Sequence, residues 1–288
     1  MTSLVGRNGM ANIKAPFDNT RDTRFFYESN EHSEALSRLL YIAADKTMGM
    51  GMLTGEIGSG KTFTRTVFAN QLDPEEFRVV AIENGLLGFD DLLLEVISQI
   101  RSERVRSADF PDRYSRLSEY KRLLINEIAN YDKHLVIILD EAQQVSDSDL
   151  DLLKGLNNIS SERVNFATLI LVGQPELRER IRNQPQLDQR ISLRFHINSM
   201  APKEVIRYVI HRLKMAGLRG QVPFTREAVE VIARESCGIP RTINRLCKLA
   251  LEHCENEAIL KVDRAAVELI VNDLKSQSGV IRSIQVFG

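Results

Sequence analysis

Apolar positions along this chain follow two rhythms in turn. Residues 31–45, EHSEALSRLLYIAAD, put Leu36, Leu39, Leu40 and Ala43 on one face at a spacing near 3.6, which predicts a helix. The short run GMLT at 51–54 predicts a buried strand, and KTFTRTVFANQL at 61–72 predicts a helix. The alternation then repeats: RVVAIEN (78–84) and HLVIILDEA (134–142) read as strands, as do FATLILVG (166–173) and ISLRFHI (191–197). Between them FDDLLLEVISQI (89–100), LSEYKRLLINEIANY (117–131), SDLDLLKGLNNI (148–159) and PELRERIRN (175–183) read as helices. Strands that are apolar throughout belong in a parallel sheet covered on both faces.

After residue 200 the strand pattern stops. The stretches 203–217, 225–237, 240–258 and 263–275 all carry helical periodicity. The expected organisation is an N-terminal arm over 1–30, an α/β nucleotide-binding domain over 31–199, a helical domain over 200–276 and a tail over 277–288. The boundary falls near NSMAP, 198–202. The arm lacks periodicity, and RFFY at 24–27 is its aromatic cluster.

Composition alters little. The 288 residues carry a net charge of −1 and are 43% hydrophobic, which is ordinary for a soluble globular protein. No apolar run approaches the ~20 residues needed to cross a bilayer, and the first residues lack a secretory core, so a cytoplasmic location is expected. Cys237, Cys247 and Cys254 are expected to be reduced thiols; without close ligand pairs they do not suggest structural zinc. From residue 201 onward there are 14 Lys+Arg against 10 Asp+Glu, and 24 against 29 before it. That basic excess fits either solvated helix faces or a weak nucleic-acid surface.

The chemistry starts at GEIGSGKT, residues 55–62, which meets GxxxxGK[ST] at every defined position. Glycines let the loop turn its N–H groups onto phosphate oxygens, and the helix that follows presents its positive end to the same anion. Lys61 is expected to reach the β- and γ-phosphates, and the Thr62 hydroxyl to bind Mg2+. Contacts to ATP are expected from Gly55, Glu56, Ile57, Gly58, Ser59, Gly60, Lys61, Thr62 and Phe63. HLVIILDEA carries Asp140 to the C-terminal edge of the sheet, where α/β proteins bind ligands. Asp140 is expected to serve Mg2+, and Glu141 to polarise a water toward the γ-phosphate. Otherwise the two acids are an N-terminal helix cap. Gln174, at a strand tip, is suited to contact the γ-phosphate or the attacking water. Arg190 precedes the last strand, Arg194 lies within it, and Arg241 opens a helix of the second domain.

With these residues in view, the chain resembles AAA+ ATPases, most closely the ExeA/GspA type associated with type II secretion and related envelope assembly. The resemblance runs from about Pro16 to Lys275 and rests on PFDNTRDTRFFYES, ALSRLLY, LTGEIGSGKT, LDEAQ, LVGQPELRERI, QRISLRFHI and GIPRTINRLC taken together. It implies an α/β P-loop NTPase domain, three layers with a parallel sheet, and an all-α lid after it. It also implies roles: Gln174 as sensor 1, Arg190 as an arginine finger acting on a neighbouring subunit's ATP, and Arg241 as sensor 2. Asn84 would couple Glu141 to a bound partner, and RFFY would lie near the adenine. Simpler readings are a surface salt bridge for Arg190, a turn-stabilising amide for Gln174, and packing of the arm for Phe25, Phe26 and Tyr27. Longer members continue into a membrane span and a peptidoglycan-binding region; this sequence includes neither.

Two functions from different classes follow. The first is an oligomeric ATPase switch, a ring or helical filament with shared ATP sites, that assembles or remodels a protein complex. The second is a regulator on duplex DNA, similar to the TnsC/MuB ATPases of transposition, with Arg101, Arg104 and Arg106 as further basic residues. A small-molecule kinase using the same loop is a third reading, but no acceptor pocket is evident in the sequence.

Overall fold

In a computed structural model the protein is described over residues 15–83, 85–157 and 165–285, with side chains through 277. The chain divides into two compact units. One comprises Asn30–Ile57 and Lys61–Asn198; the other takes the residues up to Ser29, Gly58–Gly60 and everything from Ser199 onward.

The larger unit is built on five strands: β1 (Met50–Gly55), β2 (Phe77–Ile82), β3 (His134–Leu139), β4 (Ala167–Gly173) and β5 (Ile191–Ile197). All pair in parallel, in the order β2-β3-β4-β1-β5. Every residue of β1, β3 and β4 is buried, which accounts for their largely apolar sequences. Edge strands β2 and β5 are only partly buried.

Helices α1 (Asn30–Ala44), α2 (Lys61–Gln71), α3 (Phe89–Arg101), α4 (Arg113–Leu123), α5 (Asp147–Leu153), α6 (Pro175–Arg182) and the short α7 (Pro185–Asp188) fill the connections. In α1 the buried face is Ala35, Leu36, Leu39, Ile42 and Ala43; Leu40, expected there, is half-buried. Periodicity alone places the helix before β3 at 117–131. It instead begins at Arg113, because Asp112 and Ser115 form a capping box, and after Leu123 it relaxes into a π-helical turn, Leu124–Ile128. Tyr120 is wholly buried there, its hydroxyl donating to the Leu156 carbonyl at 3.0 Å.

The second unit is all-helical: α8 (Pro202–Met215), α9 (Arg226–Glu235), α10 (Pro240–Asn256) and α11 (Arg264–Gln285). The sequence leaves 277–288 unassigned, whereas α11 runs on to Gln285. Residues 15–29 are part of this unit and not a separate arm. Arg212, 3% exposed, donates from Nε to the Pro16 carbonyl (2.7 Å) and from Nη2 to that of Asp18 (2.6 Å). Its guanidinium also lies 4.8 Å from the centre of the Phe25 ring. Tyr27 packs on Tyr208 and His211, and Phe17 on Phe224, so packing accounts for these aromatics. Cys247 and Cys254 are core residues of the helices; burial pushes the Cys247 thiol up and keeps it protonated. Among the described residues no helix is long and apolar enough to cross a membrane.

One buried base makes stability depend on pH. His134 is 1% exposed, with Nε2 2.8 Å from the Thr168 hydroxyl. Burial, helped by the charge of Lys46, pushes its pKa down to about 4 from an ordinary 6.5. The ring is therefore neutral when folded and takes up a proton on unfolding. Stability is full above the unfolded value, falls as pH drops from about 6.5 toward about 4, and levels off below. The loss has an upper limit of about 3.5 kcal/mol, at about 1.4 kcal/mol per unit of pKa difference. Urea titrations across this window are expected to show the decline, and His134→Gln to flatten most of it.

Candidate nucleotide site

The chemistry gathers at the C-terminal ends of the central strands, as the sheet order requires. β1 leads into the glycine loop, and Lys61 is the first residue of α2. Gly58 and Gly60 have φ of 83° and 98°, a region costly for residues with a Cβ. Glycine at these positions lets the loop turn without strain. Lys61 is 6% exposed, and its ammonium donates to the carbonyls of Gly55 (2.7 Å) and Glu56 (2.9 Å). The charge is thus seated inside the turn that the sequence pattern predicts.

Asp140 follows β3, and its N–H donates to the Ile82 carbonyl at the end of β2 (2.8 Å). Burial raises the pKa of its carboxyl, and Arg65, the Glu141 N–H and the Thr62 hydroxyl oppose that rise. Thr62 and Asp140 therefore stand side by side as oxygen donors, a set that suits Mg2+. The two fit the expected metal.

Arg65 was not foreseen. One turn after Lys61 on α2 and nearly buried, it bridges Asp140 (Nε to Oδ2, 3.2 Å) and Glu83 (Nη2 to Oε1, 2.8 Å). Its only trace in the sequence is a basic residue four positions beyond the lysine, on the same helical face.

Glu141 has a left-handed backbone, with φ 52°, and its N–H donates to Asp140 Oδ1 at 2.9 Å. It begins no α-helix; a short 3-10 turn, Ala142–Gln144, follows. Its carboxylate oxygen Oε2 accepts from Gln143 Nε2 at 2.6 Å and from Gln174 Nε2 at 3.5 Å. Gln174 comes directly after β4, so strand pairing brings it to Glu141 from 33 residues away. Gln143 was also missed, although it lies within LDEAQ.

Arg190 and Arg194 are both exposed, and they differ in their partners. Arg194 donates from Nη2 to the Asp188 carbonyl (2.5 Å) and carboxylate (2.9 Å). Arg190 reaches the Lys154 carbonyl at 3.5 Å. Arg241 is the second residue of α10, in the helical unit, and is exposed. Asn84 lies outside the described residues.

A five-stranded parallel sheet in this order defines an AAA+ P-loop NTPase fold. In it the first strand feeds a GxxxxGKT turn and the third ends in Asp-Glu. Residues 44–181 match the AAA domain family. The chain is 34% identical over 239 residues to General secretion pathway protein A of Aeromonas hydrophila, a match taking in 82% of this chain and 42% of that protein. It therefore spans less than half the length of that relative. It is also 23% identical over 290 residues to an uncharacterized HTH-type transcriptional regulator of Methanocaldococcus jannaschii, covering 88% of this chain and 70% of the other. Among solved structures, the Aeropyrum pernix ORC2 protein in ADPNP-ADP complexes aligns with a TM-score of 0.68. The identity is 19%, over 90% of this chain and 71% of that one, and the likeness is one of fold. The chain thus carries an AAA domain over residues 44–181, on an AAA+ P-loop NTPase fold, and is related in sequence to GspA.

Proposed function

We propose that this chain binds ATP with Mg2+, hydrolyses it to ADP and phosphate, and acts as an oligomeric switch on a protein complex in secretion or envelope assembly. The observation that carries the reading is the meeting of Glu141 with Gln143 and Gln174. It puts a carboxylate base and a polar strand tip together at the sheet edge that holds the phosphate loop.

In this reading Lys61 and the loop N–H groups take the phosphates. Mg2+, held by Thr62 and Asp140, would supply neutralising charge at the phosphate oxygens. Glu141 accepts a proton from the attacking water as its oxygen bonds to the γ-phosphorus, and the bond to the bridging oxygen breaks to release ADP. Gln174 orients the water or the γ-phosphate. Arg190, exposed just before β5, is the finger offered to the next subunit. Arg241 serves as sensor 2 from the helical unit, and Asn84 links Glu141 to a partner. The name of the Aeromonas relative supports a secretion role.

Phosphate release measured against protein concentration tests the reading, because a shared site makes specific turnover rise with concentration. Arg190→Ala is expected to bind ATP as the native protein does and to lose at least about 10³-fold in turnover, as for other trans arginines. Mixing Arg190→Ala with Lys61→Ala is expected to restore part of the activity, since one mixed interface keeps both groups. A mixture as inactive as its components rules out a finger in trans. Duplex DNA belongs in the same assay: stimulation that collapses with salt would shift the partner from protein to DNA.

A further inference from the structure

We propose that Gln143 is the positioning residue for Glu141, a two-ended strut that holds the base in register with the tip of β4. This rests on the ATPase reading above and gives it a structural cause that the known motifs lack.

Glu141 leaves β3 in a left-handed conformation, and its N–H is tied to Asp140. That fixes its backbone but not its side chain. Gln174 reaches the carboxylate only at the limit of hydrogen bonding, at 3.5 Å, whereas Gln143 reaches it at 2.6 Å. The other end of the same amide is also engaged: Gln143 Oε1 accepts the Gln174 N–H at 3.0 Å. One side chain therefore spans from the base to the backbone of the β4 tip.

The strut has a fixed foot. Arg180, on α6, donates to the Gln143 carbonyl and, from Nη2, to that of Val145 at 2.6 Å. It also pairs through Nε with the Asp147 carboxylate at 2.9 Å. It has a fitted seat as well: a Cβ on Gly173 would come 2.7 Å from Gln143 Oε1 and 2.8 Å from Leu177 Cδ2, so glycine at the end of β4 leaves room for the amide.

The amide suits the task better than a cation would. An arginine at this position would engage both carboxylate oxygens as a fork. The Gln143 amide takes Oε2 and leaves the Oε1 side for a water. It also makes the base follow β4: a shift of the Gln174 backbone moves the amide, and the amide moves the carboxylate. Because a misplacement of about 1 Å at a reacting centre can cost ~10²-fold, a strut of this kind controls rate rather than affinity.

The test is steady-state ATP hydrolysis with fluorescent-nucleotide binding and thermal melting on the full chain. Gln143→Ala is expected to lower kcat by about 10- to 100-fold with KM and nucleotide affinity within about threefold. Gln143→Met, which keeps the volume and lacks the amide, is expected to lose as much. In a Glu141→Gln background, Gln143→Ala is expected to cost nothing further, since the base it positions is gone. Either single variant turning over within twofold of the native protein overturns the proposal, and so does a double variant whose losses multiply. If both single variants melt before they can be assayed, Gln143 is structural and the proposal is wrong. A native chain that releases no phosphate, or an unimpaired Glu141→Gln, brings down the ATPase reading itself, a different result from the first.

Discussion

Lys61→Ala is expected to abolish nucleotide binding, with the dissociation constant rising at least ~100-fold, or about 2.7 kcal/mol. Two losses combine. The β- and γ-phosphates lose the one side chain of the loop whose charge opposes theirs, in a buried setting where Coulomb attraction is poorly screened. The loop also loses its internal brace, because the ammonium bonds the Gly55 and Glu56 carbonyls at 2.7 and 2.9 Å. Those carbonyls would then be left without their charged donor, each a cost of the order of 1–3 kcal/mol where water cannot replace it. Titration with a fluorescent ATP analogue reads the affinity. Thermal melting reads the fold, and the shift that ATP gives the native protein should vanish. Affinity retained within threefold would show that the phosphates are held without Lys61.

Glu141→Gln is expected to do the opposite: ATP stays bound and hydrolysis falls by about 10² to 10⁴-fold, the usual worth of a positioned base. The amide is nearly isosteric and keeps an oxygen for Gln143 to donate to, so geometry survives while the ability to take a proton is lost. In free-energy language the variant loses an interaction realised only in the transition state, so kcat falls with KM unchanged. Single-turnover measurement of phosphate release separates this from slow product release. Native turnover in this variant would remove Glu141 from the chemistry and leave the acid pair with a structural role.

Much of the larger unit was legible before any coordinates. β3 and β4 read as strands because nearly every residue in them is apolar, and they are so because every position is buried; His134 and Thr168, the polar exceptions, pair with each other. The loop, Asp140 and Glu141 were legible because a phosphate cradle needs glycines and a lysine in fixed order, and because acids at the end of a buried strand are conspicuous. Arg65 and Gln143 were not. Each is a common residue at an unremarkable spacing, and each acquires meaning only from a partner on another element: Asp140 and Glu83 for one, Glu141 and the β4 tip for the other.

The helix before β3 shows the same limit on a smaller scale. Periodicity located its apolar face, yet its start was set by the Asp112 cap, a hydrogen bond that no count of apolar residues contains. At the N-terminus the gap was wider. Residues 15–29 carry no rhythm of their own because their order comes from Arg212, a guanidinium nearly two hundred positions away.

By itself, then, the amino-acid order determined the two-part plan, the alternation of strands and helices, and the identity of the phosphate-binding turn. These depend on neighbours within one turn or one strand, where spacing and side-chain type are enough. Only the tertiary structure decided which strand lies beside which, and so which polar side chains reach Glu141. It also decided where residues 15–29 pack. Hydrogen bonds across many residues depend on strand pairing and burial, and neither leaves a periodic mark in the sequence.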